Sequence, residues 1–257
     1  MWNKITLEKD LRYSLGIGDL LMWVSNSDKE WKVSYNRVNE PTPEFSPLNV
    51  SMDAAEKDWI TIVADKNRSL NIVPSLPDRP VVIKPLNEFK ILPKSNTQLF
   101  IPIPVWLQLY AGTEKKERLI MELPSEELSS TWVGEADNGI LAYSLKNKLH
   151  SQLDKNKLAF HEVLCPVKVS NESGIILDFN RFVLNVDQLS IYTENNKLFT
   201  NEVHVKFKGE SVLSDVHFAT QSPSFIEGAK KISEPRDGSK KNALKRSFYF
   251  FKSLTQY

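Results

Sequence analysis

The chain is predicted to be all-β: an antiparallel β-sandwich, or two small β units packed together, with a few short helices. Three observations carry that expectation. Apolar and polar residues alternate at period 2 along most of the sequence, clusters of Asn, Asp, Ser and Gly separate the alternating runs, and 3.6-period stretches are scarce. Fourteen prolines punctuate the runs, as expected where strands end or lie at an edge, because proline has no N–H to give to a ladder.

Taken in order, Leu20–Ser25 and Glu30–Val38 flank Asn26-Ser27-Asp28-Lys29, and Trp59–Ala64 and Ser69–Val73 flank Asp65-Lys66-Asn67-Arg68. Each pair is expected to form a hairpin. A Pro-rich link, Glu40–Pro47, lies between them. The longest strand expected is Thr97–Tyr110, with Leu99, Ile101, Ile103, Val105, Leu107 and Leu109 on a core face and Phe100, Trp106 and Tyr110 on the other. Pro102 and Pro104 share the second parity, so both missing N–H groups face one neighbour. That predicts a sheet edge or a break in pairing, an edge being either covered by a loop or open to a partner protein's strand.

Ser125–Ser130 is read as one helical turn and Ala142–Leu153 as a short helix. Val163–Ser170 with Gly174–Phe179, and Leu189–Glu194 with Lys197–Thr200, are read as further hairpins around Asn171-Glu172-Ser173 and Asn195-Asn196. Lys240–Leu254 places Leu244, Phe248 and Phe251 at helical spacing but is equally suited to a final strand. The organisation expected is a β body over residues 1–225, with a subdivision near 124, and a basic, aromatic segment over 226–257.

The net charge of +1 gives the whole chain no pull toward nucleic acid or membrane. Its distribution is uneven. Gly228 to Tyr257 carries eight basic residues against two acidic ones, a net +6 that leaves about −5 on the rest. Lys240, Lys241, Lys245 and Arg246, interleaved with Phe248, Tyr249, Phe250 and Phe251, suit an anionic membrane surface or nucleic acid. The plainer reading packs these aromatics on the body, because four exposed rings would invite aggregation. The single cysteine, Cys165, excludes an internal disulfide and any multi-cysteine metal site. Its thiol is a nucleophile candidate that no motif supports. No apolar run approaches the roughly 20 residues of a spanning helix, and the first residues lack a signal-peptide pattern, so the expected location is the cytoplasm.

Arg79-Pro80-Val81-Val82-Ile83-Lys84-Pro85 with Ile91-Leu92-Pro93, and Thr131-Trp132-Val133-Gly134 with Gly139-Ile140-Leu141-Ala142-Tyr143-Ser144-Leu145, resemble the prokaryotic family known as domain of unknown function 432. The resemblance runs from about Leu70 to Leu145. It implies similarity to standalone bacterial and archaeal proteins and to domains fused to small-conductance mechanosensitive-type channels, hence a cytosolic accessory or sensing role, and it brings no catalytic residues. Read from the residues alone, Trp132 before Gly134 and Asp137-Asn138-Gly139 fits a strand entering a tight turn, with Trp132 a core anchor rather than a ligand platform.

The segment around Gly209-Glu210 has the glycine-first form of a two-residue hairpin turn. The register that follows pairs Phe207 with Val212, Val205 with Ser214 and Val203 with Val216 on one face. On the other it pairs His204 with Asp215 and Glu202 with His217, whose Cβ atoms would lie about 4.5–5.5 Å apart. Glu202, His204, Asp215 and His217 can therefore hold a divalent metal or supply a general base, or form a solvated ladder of charge pairs. His161 and Cys165, about 13 Å apart along a strand, cannot share an ion. His161 is expected as a satisfied core histidine and His150 as solvated.

Phosphate-loop, dinucleotide, nucleophile-elbow and His-Glu-x-x-His motifs are absent, Gly16-Ile17-Gly18 having no third glycine at Leu21. The function expected is a non-catalytic binding or regulatory β module without a cofactor. It would act through the Thr97–Tyr110 strand edge, an aromatic surface of Trp106, Tyr110 and Trp132, or the basic segment. A metal-binding protein or metal-dependent enzyme built on the 202–217 hairpin stands as one alternative, and membrane-surface or nucleic-acid association through the tail as another.

Overall fold

The computed structural model describes residues 4–6, 10–27, 30–50, 59–63, 69–113, 116–147, 149–209 and 214–236. Among these residues the protein is all-β, and its helical content is two single-turn 3₁₀ segments, Lys155–Lys157 and Val186–Gln188. The chain divides into two compact units, each assembled from separate stretches. Unit one comprises the chain up to Ser75, Pro104–Glu127 and Ala159–His161, and unit two comprises Leu76–Ile103, Leu128–Leu158 and the chain from Glu162. The chain passes between the units from Glu127 to Leu128 and at other points too.

Unit one holds a four-stranded antiparallel sheet, in the order β1 (Lys4–Thr6), β5 (Ser69–Ser75), β9 (Trp106–Thr113), β10 (Lys116–Pro124). A three-stranded sheet is made of β2 (Arg12–Asn26), β3 (Glu30–Val50) and β4 (Ile60–Val63). The β2–β3 hairpin forms as expected, with Asn26 opposite Trp31. The second expected hairpin does not: β4 pairs with β3, while β5 pairs with β1 and β9. The reason lies in the side chains. Against β9, Leu70 meets Ala111 and Ile72 meets Leu109, and all four are buried, a gain that outweighs a convenient loop length.

At Gly18 the β2 backbone turns left-handed, with φ 58°. A Cβ there would fall on the Ser125 carbonyl oxygen, so only glycine lets the strand and the turn after β10 meet. That turn is secured by Asp19 N–H to Ser125 O at 3.0 Å and Ser125 N–H to Val105 O at 2.9 Å. Arg37 bridges Asp19 and Glu127. Ser125 to Ser130 is therefore not a helical turn, and Ser129 and Ser130 already belong to a strand of unit two.

Unit two contains β6 (Val81–Pro85), β7 (Lys90–Ile91), β8 (Ser95–Pro104), β11 (Ser129–Val133), β12 (Ile140–Asn147), β13 (Glu162–Asn171), β14 (Leu177–Asp178), β15 (Phe182–Leu184), β16 (Ile191–Glu194), β17 (Lys197–Thr200), β18 (Val203–Phe207), β19 (Asp215–Phe218) and β20 (Lys230–Ser233). One sheet runs β11-β12-β6-β15, another β19-β18-β13-β17-β16-β20 with β8 also on β13, and β7 and β14 form a small ribbon. The expected helix at Ala142–Leu153 is overturned: Ala142 to Asn147 is the body of β12, held between β11 and β6.

The expected Val163–Ser170 and Gly174–Phe179 hairpin is also replaced, because β14 pairs with β7 and β13 takes the parallel partners β17 and β18. β13 is buried without a break from Val163 to Val167, the pattern of a strand covered on both faces rather than of a hairpin arm. Pro166 sits where its partner changes from β17 to β18, a break in that ladder of the kind at which proline is tolerated. Asn201 fills the matching break between β17 and β18. Its side chain accepts from Ser190 N–H at 2.8 Å and donates to Ala219 O at 2.6 Å. The Asn195-Asn196 hairpin forms as expected, both residues having positive φ (49° and 62°).

The expected strand Thr97–Tyr110 divides at Val105 into β8 and β9, and its six core residues, Leu99 to Leu109, are all buried. The edge offered to a partner strand is occupied by the chain itself. β9 lies between β5 and β10, and on the proline side of β8 Phe100 N–H bonds His150 O at 2.8 Å while Asn147 Nδ2 bonds Pro102 O at 2.8 Å. Beyond residue 225, Ile226 is buried beside Phe100, Leu164 and Phe199, Phe225 stacks edge-on against Phe100, and β20 adds to β16.

Candidate functional site

The 202–217 hairpin has a different register from the one expected. Lys206 lies opposite Asp215, Val205 opposite Val216 and His204 opposite His217. The slip is two residues, so each side chain keeps its face; Val205 gains Val216 in place of Ser214, and the connection exceeds a two-residue turn. The predicted quartet is consequently split. His204 Nε2 lies 3.1 Å from Glu202 Oε2 and its ring 6.0 Å from that of His217, while Asp215 is held by Lys208 at 2.6 Å and raises that lysine's pKa. Among the described residues no three His, Cys, Asp or Glu side chains are placed to share a metal ion. Ser224 Oγ approaches the other Glu202 oxygen at 3.4 Å, which puts the carboxylate between Ser and His. A hydrolytic triad needs the imidazole in that place.

The remaining predicted groups do not form one surface. Trp106 and Tyr110 are half-buried on one parity of β9, where Tyr110 Oη donates to Gln108 and Gln108 to Glu122. Trp132 belongs to unit two. It is 49% exposed, not a core anchor; its indole N–H bonds Glu135 O at 3.0 Å and lies over Gly139, where a Cβ would collide with the ring. His161 is part-buried 3.6 Å from Glu126, and His150 is exposed. Lys240, Lys241, Lys245, Arg246 and Phe248 to Phe251 lie outside the described residues.

Cys165 is buried on β13, and desolvation pushes its thiol from 9.0 up to about 12 against a small opposing effect of a Thr200 hydrogen bond. A thiol kept protonated is no nucleophile near neutrality. The unfolded thiol loses its proton near pH 9 and the folded one near 12, so this contribution is complete below pH 9 and is lost as pH rises toward 12. The slope is about 1.4 kcal/mol per pH unit. Urea midpoints measured from pH 8.5 to 11 should fall less steeply in Cys165→Ala than in the wild type.

A polar cavity of about 290 Å³ opens on the β2–β3–β4 sheet of unit one. The pairings Ser25 with Lys32 and Lys32 with Thr61 place these three side chains in one row across the strands. Asp10 N–H bonds Asn26 O at 2.8 Å, which brings the start of β2 alongside its end and adds Asp10 and Arg12 to the wall. Ser27, Glu30 and Trp59 complete the lining. Lys32 pairs with Glu30 at 3.0 Å, and the Arg12 guanidinium sits 5.8 Å from the centre of the Trp59 ring. The sequence reading missed this site because its members occupy the outward parity, where polar residues signify only solvent.

These features define a class: an all-β protein of two units, each assembled from separate stretches of chain, one of which carries a charged, aromatic-walled cavity. The chain belongs to the family described as protein of unknown function (DUF432), whose profile matches residues 1–252. The match thus extends well past the stretch near 70–145 and takes in residues of both units. No curated protein and no solved structure matches the chain. Among the described residues no helix is long and apolar enough to cross a membrane.

Proposed function

We propose that the protein is a non-catalytic binding module whose unit-one cavity takes a small polar solute carrying charge of both signs. The observation that supports this is the lining: two carboxylates, Asp10 and Glu30, and two cations, Arg12 and Lys32, around the Trp59 indole. A bound carboxylate would be met by the guanidinium and ammonium groups, a bound ammonium by the two acids, and the ring supplies a flat apolar wall. A single buried cysteine suits a reducing compartment, and the proposal places the module in the cytoplasm.

Tryptophan fluorescence during titration with a panel of free amino acids tests this reading. At least one should give a saturable change that Trp59→Phe removes and that Arg12→Gln weakens about tenfold, the effect of losing one charged hydrogen bond. A panel without saturable change, or saturation identical in wild type and both variants, would sink the proposal.

A further inference from the structure

Unit two sets like charges side by side on neighbouring strands. Lys146 of β12 lies directly opposite Lys84 of β6. Arg181, just before β15, continues the ladder Phe182 with Ile83 onto the other flank of Lys84. Residues of one row project from one face of a sheet, and like charges directly opposed destabilise it. Among the described residues, no ion pair joins Lys84 or Lys146 to a carboxylate. Partial burial and the positive charges of Arg181 and Lys146 hold Lys84 below the usual lysine range.

That face is also curled inward. Lys84, Lys146 and Arg181 share parity with Val82, Ala142 and Val183, which cluster with Val133 although β11 and β15 stand at opposite ends of the strand order. The Arg181 guanidinium reaches the Trp132 carbonyl at 3.3 Å, which fixes it across the concave side. The next row carries the hydroxyl side chains of Ser144 and Ser129, paired with each other.

We propose that Lys84, Lys146 and Arg181 form a binding site for a compact oxyanion of the phosphate class. Three cations in one cross-strand row match such an anion's charge and its several acceptor oxygens. The inward curl suits a small free anion rather than the flat surface of a membrane. The site lies wholly within unit two and is independent of the cavity in unit one.

Thermal unfolding of the full chain in rising inorganic phosphate, against sodium chloride at matched ionic strength, tests it. Phosphate at about ten times its dissociation constant should raise the midpoint by about 3 °C beyond the chloride reference. Lys84→Met keeps the aliphatic stem and removes the central charge, so it should raise the midpoint in phosphate-free buffer and abolish the phosphate increment. Lys90→Met, at a lysine beside Glu88 in the same unit, should leave the increment intact. No increment beyond chloride in the wild type, or an equal one in Lys84→Met, overturns the proposal.

Discussion

Replacing Gly18 by alanine is expected to destabilise the protein by at least about 3 kcal/mol. Two costs coincide there. The left-handed backbone is unfavourable for a residue with a Cβ, and that Cβ would be driven into the Ser125 carbonyl. A flexible side chain could yield; a backbone oxygen that also accepts Asp19 N–H cannot move without breaking the turn between β10 and unit two's first serines. The measurement is the urea midpoint together with hydrogen exchange at the Asp19 amide, whose protection should disappear. Gly174→Ala is the control, since its Cβ would meet nothing within 4 Å and alanine there should be neutral or mildly stabilising. Equal effects at both positions would refute the account of Gly18.

Asn201→Leu is expected to cost about 2–5 kcal/mol, because it orphans Ser190 N–H and Ala219 C=O at once. Asn201 is 3% exposed and Ser190 5%, so water cannot readily replace the bond to Ser190. In Asn201→Asp the acceptor for Ser190 remains, but a carboxylate faces the Ala219 carbonyl. That variant should regain stability as the pH falls, when the protonated acid can donate again. Urea midpoints at pH 4 and pH 7 distinguish the two variants, and a pH-independent loss in Asn201→Asp would contradict the two-bond role.

What was legible before the structure was whatever the chain decides over a few residues. The core parity of Leu99 to Leu109 held through the division at Val105, because alternate side chains of a strand face opposite ways whatever its partner. The β2–β3 and β16–β17 hairpins formed, the second with Asn195-Asn196 at the positive φ that its tight turn demands, whereas the equally local β4–β5 and β13–β14 pairs lost their strands to more distant partners. For the 202–217 hairpin the faces were right and the register was not. A slip of two preserves parity, so the sequence pattern could not detect it, yet it was enough to move Asp215 from opposite His204 to opposite Lys206.

The candidate site was illegible for a related reason. Ser25, Lys32 and Thr61 are ordinary outward polar residues until the β3–β4 pairing aligns them, and Lys84 has no visible link to Lys146 or Arg181 until β6 comes to lie between β12 and β15. By itself the sequence determined the β class, the buried parity of the Leu99–Leu109 run and the Asn195-Asn196 turn, since these follow from local backbone and side-chain geometry, whereas the need for glycine at position 18 arises from the distant Ser125 carbonyl. Tertiary structure alone decided which strands became neighbours, whether parallel or antiparallel and in what register. Those choices weigh apolar area buried and polar groups satisfied across distant segments, and every cross-strand charge cluster inherits its membership from them.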